Sequence, residues 1–76
     1  MNTYVRVINV LSGFFNLEAS MFNETTVADD IEGWDSLSHA EVLITLEKEF
    51  EITFNLGDMM SMNNVGELVV LIDRKL

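Results

Sequence analysis

The stretch Gly33-Trp34-Asp35-Ser36-Leu37-Ser38-His39-Ala40-Glu41-Val42-Leu43 marks the point where an acidic loop turns into a strongly patterned helix. Asp35 is suited to the N-cap, because its carboxylate can accept from the free backbone N–H groups of the first turn. Ser36 then takes the first helical position, with its hydroxyl at the helix start. An anionic group carried on that oxygen would sit at the positive end of the helix dipole.

The pattern continues to Phe50, so a helix is expected over Ser36–Phe50. His39, Ala40, Leu43, Leu46 and Phe50 recur at helical spacing and predict the core face, with Glu47 at its edge. Leu37 and Ile44 do not fit that face. They fall with Glu41 and Lys48 on an outward stripe running down from Ser36. Two readings of the stripe stand side by side: a docking strip, or apolar surface covered by a folded-back loop.

Working outward, Thr3–Phe15 reads as a first helix, with Thr3 as its cap and Tyr4, Val7, Ile8, Leu11, Phe14 and Phe15 on one face. Leu17 is expected to pack just beyond its end. A long connection over 18–34 carries Met21, Phe22, Val27 and Ile31 as apolar anchors and delivers the chain to Asp35. Beyond Phe50, Ile52-Thr53-Phe54 alternates like a strand but has no partner strand. It is read as an extended connector that pins Ile52 and Phe54 in the core. A short helical turn is expected over 56–61, where Met59, Met60 and Met62 fill gaps in the core. A last helix runs from Val65 to about Lys75. Asn64 and Glu67 make a capping-box-like start, and Val65, Leu68, Val69, Ile72 and Leu76 form the apolar face.

Seventy-six residues accommodate a single domain over 1–76, and a 49% apolar share supplies one core. There is no cysteine, so any reactive thiol must come from a prosthetic group. The formal net charge is −9. Nucleic acid needs a basic surface and is excluded as a partner, and partners with basic patches are favoured. No apolar run approaches the roughly 20 residues that span a bilayer. With no basic leader at the N-terminus, no membrane insertion and a cytoplasmic location are expected.

Catalytic constellations are scarce. Asp35, Ser36 and His39 are near one another in sequence, but Asp35 is committed to capping and His39 turns toward the core side. His39 is read as a half-buried packing residue. Asp29-Asp30-Ile31-Glu32-Gly33 lacks the alternating ligands of a calcium loop. Neither a metal site nor an enzyme is expected.

Asp35-Ser36-Leu37, followed by Glu41, Leu46-Glu47, Glu49-Phe50 and Ile52, resembles the acyl carrier protein family. The resemblance implies an all-α, four-helix bundle with a long loop between helices 1 and 2 and a short third helix. It implies phosphopantetheine, donated from coenzyme A, esterified to Ser36, with acyl groups carried as thioesters on its thiol. Asp35 and Leu37 would be read by a phosphopantetheinyl transferase. Glu41, Ile44 and Glu47 would meet the basic docking patches of acyl-loading and acyl-transferring enzymes. A monomer is expected, and the centre of such a bundle could shelter an apolar cargo.

Two residues depart from the housekeeping fatty-acid carriers. Trp34 stands where they usually have a small residue, and Lys48 where they commonly have an acid. Trp-Asp-Ser-Leu resembles carriers of specialised pathways: polyketide, lipid or surface polysaccharide. An aminoacyl or peptidyl carrier of a nonribosomal system is the alternative. An acidic helical interaction domain without a prosthetic group is the other.

Overall fold

The computed structural model describes residues 2–60 and 62–76. Among them are four α-helices and no strand: α1 Thr3–Phe15, α2 Ser36–Phe50, α3 Leu56–Met60 and α4 Val65–Lys75. The expected all-α bundle with a long first loop and a brief third helix is therefore present. α1 packs against both α2 and α4. Val7, Ile8 and Leu11 of α1 meet Val42, Leu43, Leu46 and Phe50 of α2 and Val65, Leu68 and Ile72 of α4 in one core. None of these helices is long and apolar enough to cross a membrane.

Helix ends follow local chemistry. The cap of α1 is Asn2, not Thr3: Asn2 Oδ1 accepts from Val5 N at 2.8 Å. Thr3 is already helical, and its hydroxyl donates to Asp73 of α4. α1 stops at Asn16, whose left-handed backbone (φ 56°) lets Asn16 N–H and Leu17 N–H both reach Ser12 O. α2 stops the same way at Glu51, also at φ 56°. Asn64 caps α4 by accepting from Glu67 N at 2.8 Å. The Glu67 carboxylate reaches back to Asn63 rather than to Asn64.

The long connection is more ordered than its sequence suggests. It contains two single 3-10 turns, Ala19–Met21 and Ala28–Asp30. Phe22 and Ile31 are buried anchors and Leu17 packs on the core, whereas Met21 is exposed. Between the turns, Thr26 is buried and its hydroxyl accepts from Asn23 N at 2.8 Å. This fold of the loop aims two carbonyls at the start of α4. Val65 N–H donates to Thr26 O and Gly66 N–H to Glu24 O. These are orphan donors of a helix start, and the loop supplies their acceptors.

Three core assignments change. Ala40 is exposed, and Val42 is fully buried in its place. At about 100° per residue, Ala40 and Val42 flank the stripe of His39, Leu43, Leu46 and Phe50 on opposite sides, and the packed side is Val42's. Leu76 lies beyond the end of α4 and is exposed, and Leu71 packs on the core instead. Met59 and Met60 are exposed on α3 and fill no gap, while Met62 does pack against the core. The connector behaves as expected, with Phe54 buried and Ile52 half-buried. Of the expected turn over 56–61, Ser61 lies outside the described residues.

Candidate functional site

The start of α2 is built from a closed set of short hydrogen bonds. Asp35 Oδ1 accepts from Ser38 N at 2.9 Å, and Ser38 Oγ accepts from Asp35 N at 2.8 Å. A serine thus completes a reciprocal cap in which Glu or Gln is the usual third-position partner. The Ser38 hydroxyl also donates to Gly33 O at 2.7 Å. Gly33 sits at φ 88°, which only glycine adopts without strain, and Trp34 N–H closes the turn on Ile31 O. The hydrogen bond from Ser38 N–H holds the Asp35 carboxyl below its ordinary pKa, so it is ionised at neutral pH.

Ser36 is the first residue of α2 and its side chain is exposed. Among the described residues no hydrogen bond engages its hydroxyl, in contrast to Ser38 two residues on. The two serines, about half a helix turn apart, differ in role: one is consumed by the cap, the other is presented to solvent.

His39 does not serve Ser36. Its Nδ1 accepts from Trp34 Nε1 at 3.0 Å, and the two rings stack at 6.1 Å. A nitrogen that accepts carries no proton, so the hydrogen on the neutral ring is at Nε2. Asp35 is tied to Ser38, so the three residues do not form a relay. Trp34 is half-buried, with its other neighbour, Phe15, at 5.2 Å. The sequence placed both rings near the site but gave no sign of this pairing.

The outward stripe of α2 is open. Leu37 is 72% exposed and Ile44 51%, and Glu41 and Lys48 are exposed beside them, so the loop does not cover them. Glu47 is half-buried, and its Oε2 accepts from Phe54 N at 2.8 Å. One oxygen of Glu47 is therefore committed to fixing the connector. Glu49 pairs with Arg6 of α1 at 3.3 Å, and the Arg6 guanidinium lies 4.2 Å over the Phe50 ring. Both attachments join residues distant in sequence, which periodicity alone does not show. No group of three or more His, Cys, Asp or Glu side chains poised to hold a metal ion occurs among the described residues.

A family model described as "Phosphopantetheine attachment site" matches residues 5–72. This chain belongs to the acyl carrier protein family. The solution NMR structure of a holo acyl carrier protein from Geobacter metallireducens is similar to it at 35% identity, with a TM-score of 0.89. That similarity covers 99% of this chain and 86% of the other. No curated protein matches the sequence. The protein is thus a non-catalytic carrier whose prosthetic group is phosphopantetheine, and it works with enzymes of acyl metabolism.

Proposed function

We propose that Ser36 is the attachment point of the phosphopantetheine arm, and that the chain serves a specialised pathway as a dedicated acyl carrier. The observation that carries the assignment is the solvent-facing Ser36 hydroxyl at the start of α2, beside a Ser38 hydroxyl already consumed by the cap. An ester phosphate there would meet the positive end of a fifteen-residue helix. The arm supplies a thiol on which acyl groups are held as thioesters. This chain's residues do the rest. Asp35 and Ser38 fix the helix start, Ser36 presents its oxygen, and Leu37 offers an exposed apolar contact next to it.

The partner surface follows α2. Glu41, Ile44, Glu47 and Lys48, with the edge of Trp34, would meet the transferase and the acyl-loading and acyl-transferring enzymes. Acidic residues there favour basic docking patches, and Lys48 admits a partner with an acid at that register. That inverted charge, with the bulky Trp34, is what supports a specialised pathway (polyketide, lipid or surface polysaccharide) over a housekeeping one. A monomer in the cytoplasm, where coenzyme A is at hand, suits this role.

Incubation with coenzyme A and a phosphopantetheinyl transferase tests the attachment. The intact mass of the wild type should rise by one phosphopantetheinyl group and that of Ser36→Ala should not change. Equal modification of both proteins would refute it. For the pathway, wild type and Trp34→Ala/Lys48→Glu, each carrying the same acetyl group, too short to be drawn into the core, are compared as substrates of a fatty-acid elongating enzyme. The double variant should be elongated faster. A wild type elongated as fast as a housekeeping carrier would defeat the specialised reading.

A further inference from the structure

Trp34 stands two residues before Ser36 and is the chain's sole tryptophan. It is held from two sides: by Phe15 at the end of α1, 5.2 Å away, and by His39, which stacks on it and accepts its Nε1–H at 3.0 Å. Trp34 and His39 form the wall of a crevice whose other sides include Met62, Val65 and Leu68. Val65 and Leu68 are core residues, 1% and 2% exposed. In its lining the crevice thus joins Trp34 and His39, which flank Ser36 in sequence, to core residues of α4. Its volume is about 30 Å³, room for one water.

A groove of about 670 Å³ elsewhere on the fold is a different feature. It is lined by Tyr4, Val69, Val70 and Arg74 among others and by no residue of α2. The crevice beside Trp34, with room for about one water, is closed to an apolar group carried from Ser36. Opening it means parting Trp34 from Phe15 and His39 and leaving a half-buried indole N–H without its acceptor, which is unfavourable.

We infer that Trp34 is the residue that keeps cargo out of the core, so that this carrier holds its acyl group on the outside of the fold. The inference rests on Ser36 being the attachment point. An excluded cargo is open to partner enzymes without any extraction step, and open to water as well. Cargo selection then falls to the partners rather than to the size of an internal cavity.

The test uses wild type and Trp34→Ala, each loaded from octanoyl-coenzyme A by a transferase and each compared with its own unacylated holo form. Loading is read first by intact mass. Missing added mass would count against Ser36 as the attachment point and would remove this inference with it. With loading established, the octanoyl group should leave the Val65 and Leu68 amide shifts of the wild type unmoved. In Trp34→Ala the same group should move both amides. Wild-type shifts as large as the variant's would overturn the inference. So would unmoved amides in both proteins, since Trp34 would then not be what closes the crevice. If Trp34→Ala fails to fold, His39→Ala takes its place, because it removes the hydrogen bond and one stack.

Discussion

Gly66→Ala should destabilise this protein, although helix propensity alone argues the reverse. Gly66 is the second residue of α4, where alanine is favoured over glycine by up to about 1 kcal/mol. A Cβ built there would stand 2.9 Å from Glu24 O and 3.3 Å from Asn64 Oδ1. The first atom is backbone and is also the acceptor of the Gly66 N–H at 2.8 Å. The second is the oxygen that caps α4. The methyl group therefore presses on two of the acceptors that satisfy the helix start. Overpacking costs about 1–3 kcal/mol, and a weakened hydrogen bond about 1 kcal/mol more. Set against the propensity gain, the net loss is about 1–3 kcal/mol. In a domain of this size each kcal/mol lowers Tm by about 4–8 °C. Gly13→Ala is the matched control. Gly13 lies inside α1 with nothing within 4 Å of an added Cβ, so the same change there should stabilise by about 0.5–1 kcal/mol. Thermal unfolding followed by circular dichroism reads both. A Gly66→Ala protein as stable as Gly13→Ala would show that the loop does not clamp α4 as described.

Other outcomes follow from the same contacts. Glu51 ends α2 at φ 56°, where a side chain is strained, so Glu51→Gly should raise stability by about 1 kcal/mol, read as a higher urea midpoint with unchanged slope. The Asp35 and Asp58 carboxyls both titrate below their ordinary range, Asp35 through the Ser38 N–H and Asp58 through Lys75. The stability they contribute is complete above about pH 4 and is lost as pH falls through their lowered folded values. Tm should therefore drop on that acid limb, and Asp58→Asn should flatten it. Glu41→Lys should slow transfer of the arm to the protein and weaken its salt dependence without changing Tm, because Glu41 is exposed. Glu47→Lys should slow transfer too, and should also cost about 1 kcal/mol of stability because Phe54 N–H loses its acceptor. Glu18→Lys is the charge control, since Glu18 is exposed and far from Ser36 in sequence; Asp73 is unsuitable because Thr3 is bonded to it.

Periodicity carried most of the fold. The bounds of α1, α2 and α4 follow from three- and four-residue apolar spacing and from side chains that cap, and Asp35 and Asn64 cap as their residue types suggest. What escaped it depends on tertiary contact. Ala40 and Val42 differ little in spacing from the same stripe, and only the neighbours of α2 decide which is covered. Thr26 carries no apolar signal, yet it is buried because its loop carbonyl must reach Val65 N–H. At the site, the exposed Ser36 and the open stripe of Leu37 and Ile44 were legible from helical geometry. The Trp34–His39 bond, the hold of Glu47 on Phe54 and the Arg6–Glu49 pair were not, because each depends on where a flexible side chain finds a partner.

The most direct measurement is to locate the arm on the wild-type protein. Trypsin cleaves after Arg6 and Lys48 and releases residues 7–48, which hold Ser12, Ser20, Ser36 and Ser38 together. Fragment-ion sequencing of that peptide after treatment with coenzyme A and a phosphopantetheinyl transferase reads which serine bears the added mass. The exposed, unbonded hydroxyl of Ser36 should carry all of it, and the cap-bound Ser38 none. Added mass on any other serine, or on none, would contradict the account.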